Sequence, residues 1–126
     1  MSLRAEEERS RTERERGWIL FLLYYARPRP VEFPQLRRLL DQRNYPLSSR
    51  RLAEHVEYLC EYRLVKVALD AQQTTLDDGT LARALQRYAD SDRDGLNETM
   101  FLRLTAAGVN HQEGVGDAYP GIARIE

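Results

Sequence analysis

The chain has one cysteine, Cys60, in 126 residues. An internal disulfide is therefore excluded, and a reducing compartment is the simple expectation. Its two histidines, His55 and His111, are far apart in sequence and lack partners at metal-ligand spacing. There is no Walker loop and no GxGxxG. Cys60 falls on an apolar helical stripe, where a thiol is a core residue rather than a nucleophile. No enzymatic activity, no metal and no cofactor is expected. Long apolar runs are also missing. GWILFLLYYA is well short of the roughly 20 residues of a membrane span, and the acidic segment before it does not suit a secretory signal. A cytoplasmic protein with no membrane contact is the expectation.

Lysine is nearly absent too: Lys66 is the only one, and every other cation is arginine. The formal net charge of −1 conceals a division. Residues 27–51 carry seven arginines against Glu32 and Asp41, a net of +5. Residues 70–98 carry seven acids against Arg83, Arg87 and Arg93, a net of −4. Local rather than total charge decides what such surfaces attract.

The chain reads as one domain with three parts: a charged extension of the first helix over 1–16, a folded unit over 17–108 with an insertion at 70–98, and a tail over 109–126. The first 16 residues balance five arginines against five glutamates at helical spacing. They predict the solvated half of a helix, or a frayed arm; the alternative is a basic-acidic arm for a partner or a second subunit. The segment Trp18–Ala26 is apolar on two lines, Trp18, Leu22 and Tyr25 on one and Ile19, Leu23 and Ala26 on the other. One line packs on the domain's own core, and the other predicts a homodimer interface. Pro28 and Pro30 stop this helix, and Val31-Glu32 suits a short strand. Pro34 sits in the first turn of the next helix, whose inner face is Leu36, Leu39 and Leu40. Asn44 and Pro46 mark a turn.

Ser48 then caps an amphipathic helix with Leu52, Val56, Leu59 and Cys60 on one stripe. A β-rich run, Leu64, Val65, Val67 and Leu69, follows almost at once. Later come a short helix, TLARALQRYA, with Thr80 as its cap, a strand, MFLRLT, and a last short helix opened by Thr105. The tail reads as extended or disordered, with Tyr119, Ile122 and Ile125 able to dock on a neighbouring surface.

This order resembles the winged helix-turn-helix family of transcription regulators. Three stretches carry the likeness: RNYPLSSRRLAEHVEYL around the turn, EYRLVKV as the exit into a wing strand, and FLRLTAAG as the second wing strand with the start of the next helix. Arg63 stands where the family's usual glycine precedes Leu-Val. The likeness extends more loosely to small phage-encoded winged-helix proteins. The implied fold class is mainly α with a small β-hairpin wing, an α+β fold with a helical insertion between the wing strands. The implied function is double-stranded DNA binding and transcription regulation. By position, Ser49, Arg50, Arg51, Glu54, His55 and Tyr58 are the candidates for reading bases, and Arg37, Arg38 and Arg43 for contacting phosphates.

Glu54, Glu57 and Glu61 share the outer face of the same helix with Arg50, and phosphates repel carboxylates. An acidic outer face suits the alternative, a winged-helix protein-interaction module that does not bind DNA. One further motif, Asp90-Ser-Asp92-Arg-Asp94-Gly95, fits the first half of a calcium loop. Its twelfth position is Phe101 instead of a bidentate glutamate, so a hydrated turn is the preferred reading.

Overall fold

The computed structural model describes residues 3–69, 74–90, 100–116 and 119–126. Helix α1 (Leu3–Ala26) runs unbroken for 24 residues, joining the charged and apolar halves. Its first half is built of strong helix formers with no β-branched run, and no proline interrupts it. A cis Arg27–Pro28 bond follows its end. Strand β1 (Val31–Glu32) leads directly into α2 (Phe33–Asp41), which has Pro34 in its first turn. Helix α3 (Ser49–Glu61) is capped by Ser48, whose hydroxyl accepts from the Arg51 amide at 3.1 Å. Strands β2 (Val65–Leu69) and β3 (Thr74–Thr75), helix α4 (Asp78–Ala89), strand β4 (Met100–Leu104) and helix α5 (Ala106–Glu113) complete the order.

The fold is mainly helical with one small antiparallel sheet, in the strand order β1-β4-β2-β3. The two expected long strands pair as β2 and β4, with Val65 opposite Leu104 and Leu69 opposite Met100. Val31 faces Leu102, which adds β1 to the outer edge. Burial alternates through β2 and β4, so Val65, Val67 and Leu102 enter the core while Lys66 and Arg103 face out.

Three helices end the same way. After α2 the Tyr45 amide donates to the Leu40 carbonyl and Asn44 to Asp41. After α3 Leu64 donates to Leu59 and Arg63 to Cys60; after α5 Val115 donates to Asn110 and Gly114 to His111. This paired pattern needs one residue in the left-handed region. Asn44, Arg63 and Gly114 supply it with φ of 65°, 58° and 76°. Only glycine does so without steric cost, so Arg63 holds a conformation that its side chain opposes.

Leu20, Leu36, Leu40, Leu52, Val56, Leu59, Leu64 and Leu102 are fully buried between the helices and the sheet. Two expectations change at this level. The first half of α1 is not wholly solvated, because Glu15 is 1% exposed and lies against α3. The cap of α4 is Asp77, which accepts from the Thr80 amide at 2.8 Å, so Thr80 is inside the helix. A carboxylate one turn earlier is as good a cap and interacts well with the helix N-terminus. Helix α4, within the segment 70–98, packs into the core: Ala84, Leu85 and Tyr88 are buried, and Tyr88 meets the Phe33 ring edge-on at 5.1 Å. The half calcium loop lies, apart from Asp90 at its start, outside the described residues.

The tail docks. Ile122 is buried, and the Ala123 amide donates to the Glu13 carbonyl at 3.0 Å. Gly17 of α1 permits this approach, since a Cβ there would collide with the Ala123 carbonyl oxygen. The apolar half of α1 is largely covered. Ile19, Leu20, Leu22 and Leu23 are buried, and Trp18 packs on Phe21, Tyr45 and the Arg43 guanidinium. Tyr25, 70% exposed, is left outside. No helix among the described residues is long and apolar enough to cross a membrane.

Candidate functional site

Helix α3 carries most of the residues expected to read DNA, and it is hemmed in on two sides. Along one side lie the charged half of α1 and the tail. Arg51 donates from Nε to Glu15 Oε1 and from Nη2 to Thr12 Oγ1, both at 2.8 Å. One turn on, His55 is buried between the same carboxylate and Arg16. Its Nε2 lies 2.8 Å from Glu15 Oε1, and its Nδ1 accepts from Arg16 Nε at 3.2 Å. An arginine can only donate, so Nδ1 is the bare nitrogen and the proton sits on Nε2, facing Glu15. Burial holds the His55 pKa below its usual value, with the Arg16 and Arg51 charges adding to the effect against the pull of Glu15. One turn further, the Arg16 guanidinium lies 3.6 Å from the centre of the Tyr58 ring, and the Tyr58 hydroxyl donates to the Pro120 carbonyl at 2.6 Å.

The base of the helix is also committed. Ser49 is buried, and its hydroxyl accepts from Arg37 Nη1 at 3.3 Å, while Arg37 Nε donates to the Leu47 carbonyl at 3.1 Å. Arg37 thus ties α2 to the turn before α3. Arg50 is exposed and paired at 3.1 Å with Asp90 at the end of α4. Arg38 is exposed. Arg43 is exposed too, with Nη1 donating to the Leu39 carbonyl at 3.3 Å.

Of the nine expected residues, Arg37, Ser49, Arg51, His55 and Tyr58 therefore serve contacts inside the chain. Arg38, Arg43, Arg50 and Glu54 face outward. The sequence reading missed the cause, because Glu15, Arg16 and Pro120 lie in segments that look solvated or extended. A signal existed in Thr12, Glu15 and Arg16, which fall on one side of a helix at spacings of three and four.

The free surface of α3 is then Arg50, Glu54, Glu57 and Glu61, and three of the four are carboxylates. Beside it α4 forms the far wall of an open groove of about 570 Å³, lined by Glu57, Cys60, Glu61, Arg63, Asp78, Leu81, Ala82 and Leu85. Three acids, Glu57, Glu61 and Asp78, line it beside one cation, Arg63, and Leu81, Leu85 and Cys60 give it an apolar floor. Burial, with the charges of Asp78 and Glu57, pushes the Cys60 thiol up to about 12. Cys60 is thus a floor residue and not a thiolate nucleophile. The α4 wall was not foreseen, although the i, i+4 spacing of Leu81 and Leu85 marks it.

No protein-family model, curated protein or solved structure matches the chain. The site itself is therefore the basis for a functional reading.

Proposed function

We propose that this chain is a winged-helix protein-interaction module, and that its α3–α4 groove receives a partner segment bearing both basic and apolar side chains. The supporting arrangement is α2, a turn and α3 followed by the β2–β4 pair, the element order that the family uses. The observation that carries the functional reading is the free face of α3. Its exposed residues after Arg50 are Glu54, Glu57 and Glu61, and Arg50 is already paired with Asp90. A duplex brought to this face meets a row of carboxylates over the groove. A basic amphipathic segment meets complementary charge at the rim and an apolar floor, the helix-in-groove mode of recognition.

A designed lysine- and leucine-bearing amphipathic peptide tests the proposal by calorimetric titration. Binding that Glu57→Lys and Glu61→Lys both abolish is expected. A peptide that does not bind at high micromolar concentration, or binds these variants equally, refutes it.

Binding of double-stranded DNA stands as a second reading, and one feature favours it. Arg11, Arg14 and Arg43 converge with Asn44 and Tyr45 on a cleft of about 480 Å³ between α1 and the turn after α2, with Glu7 as its one acid among the described residues. Exposed Arg38 lies on α2. A duplex would then lie along α2 and its turn, with α3 outside the groove. Random-sequence duplex at about 50 mM salt decides it, because each arginine–phosphate contact contributes to a steep fall in affinity with salt. Binding that Arg38→Ala and Arg43→Ala weaken for all sequences alike would favour this reading over docking. The homodimer expected through Trp18–Ala26 has a small surface left to use, centred on Tyr25. Sedimentation at micromolar concentration reads it directly, and a 14.7 kDa species excludes it.

A further inference from the structure

A second basic feature lies apart from both of those sites. The end of α1, the proline turn, the outer face of the sheet and the start of α5 border an open pocket of about 510 Å³. Four cations line it, Arg27, Arg29, Lys66 and Arg103, and among the described residues no acid does. Leu23, Pro28 and Leu104 supply its apolar surface, and α5 opens onto it at Ala106. Lys66 and Arg103 are direct cross-strand partners on the exposed face. Like charges placed opposite each other on a sheet destabilise it. Among the described residues no carboxylate pairs with Arg29, Lys66 or Arg103. Arg27 is held in place: its guanidinium stacks on the Tyr24 ring at 3.9 Å, and its Nε donates to the Tyr24 carbonyl at 3.0 Å.

We propose that this pocket binds a small anion carrying two or more linked phosphates. Four cations from three separate elements converge on one pocket, and among the described residues no acid lines it to offset their repulsion. An anion removes the repulsion and accepts charge-assisted hydrogen bonds from each guanidinium and the ammonium. Its volume lies in the range of small-molecule sites. A duplex backbone would instead require a stripe of cations along an extended surface. Linked phosphates carry enough negative charge to meet four cations, which a single phosphate does not. The start of α5 borders the pocket at Thr105 and Ala106, where the positive end of the helix dipole favours an anion. The linked phosphates can belong to a free inorganic anion or to a nucleotide, and the pocket chemistry is common to both. This proposal does not rest on the groove reading, since no residue of the α3–α4 groove lines the pocket.

The test is a thermal melt of the full chain titrated with pyrophosphate, tripolyphosphate or a nucleoside triphosphate, each against sodium chloride of equal ionic strength. A saturable rise with one or more of these is expected. A rise with the nucleotide alone names a nucleotide as the source, and an equal rise with tripolyphosphate names the free anion chemistry. In Lys66→Ala/Arg103→Ala the affinity should fall about tenfold or more, the scale of a lost hydrogen bond to a charged group. In plain buffer this variant should melt at or above the parent, because it removes an exposed like-charge pair. Arg29→Ala serves as a second variant outside the sheet, with the same expected loss of affinity. The proposal is overturned by no rise beyond sodium chloride with any probe, by equal rises in parent and variants, or by a rise with duplex DNA alone.

Discussion

Glu15 is the residue whose removal tells most about how this fold is held. Its carboxylate is 1% exposed and faces three partners: Arg51 Nε at 2.8 Å, His55 Nε2 at 2.8 Å and Arg11 Nε at 3.3 Å. Removing one member of a fully buried ion pair costs about 3–5 kcal/mol, because the other charge is stranded. That figure is too large here. The Arg51 and Arg11 side chains are 40% and 50% exposed, so both can turn to water and little is lost from their pairing. His55 cannot turn, being buried with its Nδ1 occupied by Arg16. Its stranded Nε2–H costs about 1–3 kcal/mol, and the lost charge-assisted bond to Arg51 adds about 1 kcal/mol after screening. Glu15→Ala should therefore destabilise by about 2–4 kcal/mol, or roughly 6–15 °C in melting temperature for a chain of this size. Glu15→Gln, which can still accept from His55, should lose about half of that. Urea unfolding followed by circular dichroism measures both, with an unchanged slope showing that the native state is intact. A Glu15→Ala variant within about 0.5 kcal/mol of the parent would mean that the α1–α3 contact contributes nothing and that α1 starts as a solvated arm.

Acid should destabilise the protein through its histidines. Burial lowers the pKa of both His55 and His111, so the unfolded chain takes up protons first as pH drops through the ordinary value of 6.5. Stability is then full above that value, falls below it, and levels off only beneath the lowered native values. Urea midpoints at about pH 7.5 and about pH 5.5 should show the fall, and His55→Gln should shrink it; a midpoint that rises on acidification contradicts the burial of neutral imidazole. At Arg63, φ is 58° and the paired amide pattern after α3 needs that conformation. Arg63→Gly should stabilise by about 1 kcal/mol at equilibrium, as relief of left-handed strain offsets the entropy of glycine, and a destabilised variant would place a real contact on the arginine side chain. Gly17→Ala pushes on the Ala123 carbonyl, so it should release the tail and speed amide exchange at Ala123 more than within α3. Uniformly faster exchange throughout would show instead that the tail is part of the cooperative core.

Much of the local structure was legible because local chemistry decides it. Pro34 and Ser48 mark the starts of α2 and α3, Thr105 caps α5, and Asn44 takes the left-handed position after α2. β-rich composition marked two strands, and the family resemblance paired them across about thirty residues, as β2 and β4 do pair. These are choices of backbone conformation within a few residues, so propensity and capping determine them. The fate of the polar side chains was decided elsewhere. Arg51, His55 and Tyr58 have the spacing of a reading face, and in an isolated helix they would form one. Tertiary packing laid Thr12, Glu15, Arg16 and Pro120 against them, and their hydrogen-bonding capacity was used there. The same packing set α4 beside α3, turning an acidic insertion into the wall of a groove, and placed Lys66 and Arg103 next to Arg27 and Arg29. A sequence states how much charge a chain carries and along which helical stripe. Which charges neutralise each other depends on distances between elements far apart in the chain, because pairing energy falls with separation in space and is indifferent to separation in sequence.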